Sequence, residues 1–151
     1  MKKIVVISQE NTGIVNELKS YLKNVDIVCD SKYNNETCDL VISLDEELDN
    51  ALNVHYSLLP PYYGENPVQK AILEGVKITG VTLYYSNPLK IIAQYPVFIT
   101  NDMHYDDLIM YMGQITQVML PLVVEKLINN EPFEIQNLMA RQKCSGCSGC
   151  H

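Results

Sequence analysis

The sequence predicts an α/β fold in which a small and mostly parallel sheet is flanked by helices. Lys3 to Ser8 form a continuous, mainly β-branched run, which is typical of a strand buried on both faces. Apolar residues then recur at helical spacing from Ile14 to Leu22, and short apolar runs at Asp26 to Cys29 and Asp39 to Ser43 predict two more strands. Strand, helix, strand, strand at this spacing indicates a small sheet of the Rossmann type.

The second half of the chain adds a short helix and a hairpin. Leu52 to His55 predict another strand, and Pro67 takes the favoured first position of a helix that runs to about Glu74. Thr79 to Tyr85 and Lys90 to Val97 are strand-like and are separated by only four residues. We therefore expect these two strands to pair as a hairpin.

The chain is predicted to divide into a domain, a connector and a tail. The pattern is helical from Asp106 to Asn130, and Pro121 is expected to kink or divide this long C-terminal helix. With 47% hydrophobic and 19% charged residues, positions 1–130 are predicted to form one domain. Residues 131–143 would form a connector, and residues 144–151 are low in complexity and cannot build a core.

The net charge of the chain limits the classes of molecule that it is expected to bind. The net charge is -7 and the pI is near 4.8, so the protein should repel phosphate backbones, and nucleic acid is not expected as a partner. The N-terminus lacks a secretory signal, and Glu125 and Lys126 interrupt the apolar segment from Val118 to Ile128. We therefore expect a cytoplasmic protein that does not enter a membrane and that binds a small molecule or, through its tail, a protein partner.

The most informative stretch begins at Asn53. Residues two apart on a strand point to the same side, so Asn53 and His55 should face one pocket at the carboxyl edge of the sheet. An amide can donate hydrogen bonds to a developing oxyanion, and a histidine beside it can move a proton. The pair suits acyl or one-carbon transfer to an amine. An isolated Asn-x-His is usually a turn residue beside a surface histidine, so the flanking sequence decides between these interpretations.

That flanking sequence resembles the catalytic core of the folate-dependent formyltransferases, the family of glycinamide ribonucleotide formyltransferase and methionyl-tRNA formyltransferase. The matching residues, in the family's order and spacing, are Asn53, His55, Ser57-Leu58-Leu59-Pro60, Gly64, Pro67, Ala71-Ile72, Gly75 and Thr79-Gly80-Val81-Thr82. Weaker matches on both sides extend the resemblance over most of residues 1–130. It implies a formyltransferase-like fold and a 10-formyltetrahydrofolate-type donor.

The resemblance also implies roles for individual residues. Asn53 would be the oxyanion donor and His55 the general acid and base, so these two are the predicted catalytic residues. Ser57 and Gly64 would belong to the substrate-binding loop, where Ser57 could instead cap or shape the loop. Asn11 and Gly13 could line a phosphate-binding loop after the first strand, and an ordinary helix start is the alternative there.

One part of the family pattern is missing. The family's catalytic aspartate lies in the loop between the two hairpin strands, which here has shrunk to residues 86–89 and holds no carboxylate. Removing a comparable orienting carboxylate from a catalytic triad costs about four orders of magnitude in rate. Asp102, Asp106 and Asp107 instead fall at the start of the long helix, where they favour the helix dipole. We therefore expect formyl transfer that is impaired or altered.

The tail suggests a different function. Cys144, Cys147, Cys150 and His151 could together ligate zinc, or the three thiolates could hold an iron–sulfur cluster. A redox-active dithiol, a haem attachment motif and an incidental tail are the alternatives. On this interpretation the protein is a non-catalytic carrier or adaptor that presents metal or reactive thiols. A third hypothesis is hydrolysis, in which His55 activates water on a formyl group or related amide.

Overall fold

The computed structural model describes residues 1–10, 12–60 and 63–131, which build one six-stranded sheet with three helices. In chain order the elements are β1 (Lys2–Ile7), α1 (Thr12–Tyr21), β2 (Val25–Asp30), β3 (Leu40–Ser43), β4 (Leu52–His55), α2 (Pro67–Leu73), β5 (Ile78–Tyr85), β6 (Lys90–Phe98) and α3 (Tyr105–Ile128). The strand order is β2-β1-β3-β4-β5-β6. The first four strands are parallel, and β5 runs antiparallel to both β4 and β6. The predicted fold class, including the hairpin and the long helix, is confirmed.

The interior position of β1 explains its β-branched sequence. It pairs with β2 on one side and β3 on the other, so both faces of the strand are covered. Ile4 and Val6 point into the core beneath the helices, while Val5 and Ile7 point to the opposite face. Burial on both faces requires a continuous apolar run instead of an alternating one.

The three helices pack on one face of the sheet. Ile14 and Leu18 of α1 meet Leu120 and Val124 of α3 in the main core cluster. The other face has a smaller cluster that includes Val5, Ile7 and Val41, and Cys38 and Leu48 pack against it. Residues 31–39 join β2 to β3 without a helix, which leaves this face to be covered by loop residues.

Helix α3 differs from expectation in two ways. It runs without a break through Pro121, which is buried inside the helix, so Pro121 does not divide α3, while the expected kink stays a prediction. The apolar stretch also extends on the N-terminal side of Val118, so α3 is long and apolar enough to cross a membrane by length and composition, with a mean hydropathy of 1.3. Its buried stripe, from Leu108 to Ile128, is occupied by packing against the sheet and the other helices.

Candidate functional site

An open cavity of 790 Å³ lies at the carboxyl end of β4. Its walls are residues 44–47 after β3, residues 53–56, the segment 63–68 that leads into α2, and the start of α3. Carboxyl ends of parallel strands are the usual ligand-binding edge of such sheets. Both predicted catalytic residues, Asn53 and His55, line this cavity.

His55 is half-buried in the cavity wall between two tyrosines. The imidazole stacks on the ring of Tyr63, with ring centres 6.3 Å apart, and meets the ring of Tyr84 edge-on at 6.2 Å. The two tyrosine rings also contact each other at 6.3 Å. This packing restricts the orientation of the imidazole, which a proton-transfer group requires.

Glu47 brings a carboxylate to the same cluster. One of its oxygens accepts hydrogen bonds from the hydroxyls of both Tyr63 (2.5 Å) and Tyr84 (2.6 Å). Burial and the bond to Glu47 raise the pKa of Tyr84, and the Glu47 bond is the main cause that raises the pKa of Tyr63. Both phenols therefore stay protonated donors at neutral pH.

Sequence reasoning missed Glu47. The run Asp45-Glu46-Glu47 begins two residues after the end of β3, at the carboxyl edge of the sheet. This position was the feature of the sequence that could have indicated a site residue. The hydrogen bonds to two tyrosines from distant parts of the chain could not be found from the sequence.

The side-chain amide of Asn53 is buried and forms hydrogen bonds with backbone groups of the protein. Its residue is 1% exposed, and its amide oxygen accepts a hydrogen bond from the Leu48 N–H at 2.8 Å. The amide nitrogen donates to the carbonyls of Leu48 and Ala51, each at 3.0 Å. Because both amide protons are used, Asn53 holds the loop before β4, and it would have to release one of these carbonyls to donate to an oxyanion.

The predicted substrate-binding residues Ser57 and Gly64 lie in different environments. Ser57 is 0% exposed and does not line the cavity, so its role in substrate binding stays a prediction. Its place in the buried turn after β4 corresponds to the loop-shaping alternative. Gly64 lines the cavity with a φ of +110°, a conformation that side-chain-bearing residues rarely adopt.

Cross-strand hydrogen bonds hold the turn that follows His55. The Thr82 hydroxyl donates to the Ser57 carbonyl at 2.6 Å and accepts from the Leu59 N–H at 3.2 Å. The side-chain amide of Gln94 donates to the Leu59 carbonyl (3.0 Å) and to the Thr82 hydroxyl (3.1 Å). Thr82 also pairs with His55 in the sheet, so this network fixes the end of β4.

The predicted phosphate-binding loop receives no support from Gly13. This residue is near the start of α1, where an added Cβ would lie 3.0 Å from the side-chain nitrogen of Gln117, so it faces α3 and does not line the cavity. Asn11 lies outside the described residues. The phosphate-binding role of both residues therefore stays a prediction.

The aspartates before and within the first turn of α3 serve local structure. Asp102 accepts a hydrogen bond from the Thr100 hydroxyl at 2.5 Å, which lowers the pKa of Asp102. Asp107 accepts the backbone N–H of His104 at 3.0 Å, as part of a capping box. These contacts agree with the predicted role at the helix start.

The predicted metal ligands Cys144, Cys147, Cys150 and His151 lie outside the described residues. Among residues 1–10, 12–60 and 63–131, no group of three or more His, Cys, Asp or Glu side chains is arranged to hold a metal ion. Cys29 is exposed and Cys38 is half-buried, and both are free thiols.

Comparison with known proteins shows which family the chain is similar to. The family model described as Formyl transferase matches residues 2–90, which is more than half of the chain. Methionyl-tRNA formyltransferase of Protochlamydia amoebophila is 36% identical over 93 residues, covering 59% of this chain and 29% of the relative. The formyltetrahydrofolate deformylase of Synechocystis is 34% identical over 112 residues, covering 71% and 37%. The chain thus spans about a third of the length of these curated relatives.

Solved structures share the fold at low sequence identity. Phosphoribosylglycinamide formyltransferase from Bacillus halodurans matches with a TM-score of 0.66 and 17% identity, over 85% of this chain and 95% of that one. A formyltetrahydrofolate deformylase from Pseudomonas syringae matches with a TM-score of 0.70 and 16% identity, over 85% and 62%. These likenesses support the fold described above.

Proposed function

The chain belongs to the formyl transferase family, and on that premise we propose that its cavity transfers a formyl group from a 10-formyltetrahydrofolate-type donor to an amine. The observation that carries the proposal is the position of His55. It lies at the carboxyl end of β4, in an open cavity, within the segment that the family matches. Methionyl-tRNA formyltransferases are among the relatives, and they support transfer to an amine as the reaction class.

In the proposed reaction His55 moves one proton. The acceptor nitrogen attacks the formyl carbon and forms a tetrahedral intermediate. The bond from that carbon to the donor nitrogen then breaks, so the formyl group ends on the acceptor as a formamide. His55 takes the proton that the attacking amine loses and gives it to the departing donor nitrogen, so no net proton is consumed.

Two features support the further proposal that transfer is impaired. The loop of residues 86–89 offers no carboxylate, and the Asn53 amide is held by the carbonyls of Leu48 and Ala51. In other acyl-transfer enzymes, removing one hydrogen-bond donor to the oxyanion lowers the rate about 10²- to 10³-fold. The nearby carboxylate is Glu47, which two phenols hold in place.

Hydrolysis of the donor is the second candidate. The cavity is open to solvent, and a formyltetrahydrofolate deformylase is among the relatives that match 71% of the chain. In that reaction water replaces the amine as the nucleophile, and His55 takes one proton from it and gives that proton to the donor nitrogen as its bond to the formyl carbon breaks. The products are tetrahydrofolate and formic acid, which ionises to formate.

The direct test is release of tetrahydrofolate from 10-formyltetrahydrofolate by the purified chain, with and without an added amine. We expect slow release that falls to the rate of buffer alone in His55→Ala. His104→Asn is the matched control, because asparagine preserves the cap of α3 and His104 does not line the cavity. Release at the same rate in wild type and His55→Ala would refute the proposed role of the cavity.

A further inference from the structure

We propose that the acceptor in this cavity is a positively charged amine that carries no phosphate. That the amine is the acceptor rests on the proposed function. The preference of the cavity for a cation over a phosphate depends only on the charges that line it. It names a substrate class that distinguishes this chain from formyltransferases whose acceptor bears a phosphoribosyl group, such as the phosphoribosylglycinamide enzymes that share its fold.

The charged groups that line the cavity are of one sign. Asp45, Glu46 and Glu47 come from the segment after β3, and Glu65 comes from the segment before α2. No lysine or arginine lines the cavity within the described part of the chain, and His55 is the one basic side chain found there. A phosphate would therefore enter a cleft that holds four carboxylates and no permanent cation.

Three of the neutral hydrogen-bond donors in the cavity wall are already engaged. The hydroxyls of Tyr63 and Tyr84 donate to Glu47, and the amide of Asn53 donates to backbone carbonyls. Helix α3 begins at the cavity, and its first turn carries Asp106 and Asp107, whose negative charges oppose the binding of an anion at the helix N-terminus.

The same groups favour a cation. Glu47 is fixed by two hydrogen bonds, so a carboxylate stands ready for an ammonium group without ordering a flexible side chain. Tyr63 and Tyr84 line the cavity, and an aromatic ring attracts a cation that lies over its face. An ammonium group drawn here would lie beside His55 and would first lose one proton to solvent. The neutral nitrogen then attacks, and His55 takes the second proton and gives it to the departing donor nitrogen, as in the proposed reaction.

The test compares two probes that differ by one phosphate, glucosamine and glucosamine 6-phosphate, by NMR titration of the full chain without any folate. We expect glucosamine to shift cavity signals, including those of His55 and Glu65, with an affinity at least about tenfold higher than that of its phosphate ester at low salt. The difference should shrink at high salt, because exposed charges are screened.

The variant Glu46→Gln/Glu65→Gln should reduce that ratio about threefold or more, because it removes two of the four carboxylates while leaving Glu47 in place. The control Glu17→Gln/Asp26→Asn removes two exposed carboxylates that do not line the cavity, and it should keep the ratio. Equal or tighter binding of the phosphate ester, no shift with either probe, or identical ratios in both variants would overturn the inference. Failure of the tetrahydrofolate assay alone would overturn the proposed function and leave the binding preference standing.

Discussion

At the scale of single residues, Glu47 organises the cavity wall. It joins Tyr63 and Tyr84, which lie on a loop and on β5 and which both contact the His55 ring. A charge-assisted hydrogen bond is about twice as strong as a neutral one, so two of them on one carboxylate give the cluster a defined arrangement. Glu47 thus keeps a carboxylate near His55, although the loop of residues 86–89 holds none.

The phenol of Tyr84 predicts a change of stability at high pH. Burial and Glu47 raise its pKa in the folded state, so the folded protein holds this proton more tightly than the unfolded chain does. The resulting stabilisation is present below about pH 10 and is lost as pH rises above it. Between about pH 8 and about pH 11 the free energy of unfolding should fall less in Tyr84→Phe than in wild type.

Urea unfolding at both pH values measures this difference. Tyr95→Phe is the control, because Tyr95 is an exposed residue of β6. If Tyr84→Phe and Tyr95→Phe respond to pH identically, the Tyr84–Glu47 bond does not contribute to stability as described.

Gly80 predicts a steric effect at a single position. A Cβ there would lie 2.3 Å from the Tyr95 carbonyl oxygen and 2.5 Å from the Leu58 side chain. Gly80→Ala should therefore lower the free energy of unfolding by about 1–3 kcal/mol. Gly113→Ala, where the Cβ would meet only the Tyr56 hydroxyl at 3.7 Å, should instead raise it by up to about 1 kcal/mol, because alanine is the better helix former. Thermal unfolding of both variants measures these changes. A Gly80→Ala protein that is as stable as wild type would contradict the close contacts of Gly80 with Tyr95 and Leu58.

At the scale of elements, strand β5 fixes the turn that carries the family motif. Thr82 bonds to two backbone groups of residues 57–59, and Gln94 on β6 adds a third bond to the same turn. The position of His55 thus depends on two strands that follow it in sequence. The hairpin is part of the site even though it contributes only Tyr84 to the cavity wall.

Two threonines on β5 provide a matched comparison. Thr82→Val leaves the Ser57 carbonyl and the Leu59 N–H without their partner, which should cost about 1–3 kcal/mol and should lower the His55-dependent rate. The Thr79 hydroxyl is buried and has no hydrogen-bond partner within the described residues, so Thr79→Val should be neutral or stabilising. Chemical unfolding and the tetrahydrofolate assay check both variants. Equal losses would mean that the hydroxyl of Thr82 does not hold the turn.

The elements were predictable where periodicity was strong. β1 and β4 follow from their apolar runs, α2 from Pro67, and the β5–β6 hairpin from two strand-like runs around a short loop. The expected division of α3 at Pro121 did not occur: the helix continues through this buried proline, and the sequence does not show which interior proline is accommodated.

The site was less predictable than the fold. The sequence placed His55 at the ligand-binding edge, and the structure puts it in the cavity wall. The partners of Asn53, however, are backbone groups of a loop whose conformation no local pattern specifies. The Tyr63–Glu47–Tyr84 contacts join segments up to 37 positions apart, and their pairing depends on the completed sheet.

At the scale of the whole molecule, the described strands form a single sheet, and the described helices pack on it. The helices cover one face, and their common core links α1 to the hairpin through α3, so the cavity is built on a continuous scaffold. The predicted division into a domain at 1–130, a connector and a cysteine tail, and the predicted zinc or iron–sulfur ligation by that tail, stay predictions. Their defining residues lie largely beyond Glu131, the last described position.

The fate of the formyl carbon tests the central claim most directly. The full chain is incubated with a donor labelled with ¹³C in its formyl group and with an excess of a cationic amine, and the carbon is followed by NMR. We predict that the label moves slowly to the formamide of the amine in wild type and stays on the donor in His55→Ala. Label that remains on the donor in wild type, or that moves equally in both proteins, would contradict the account.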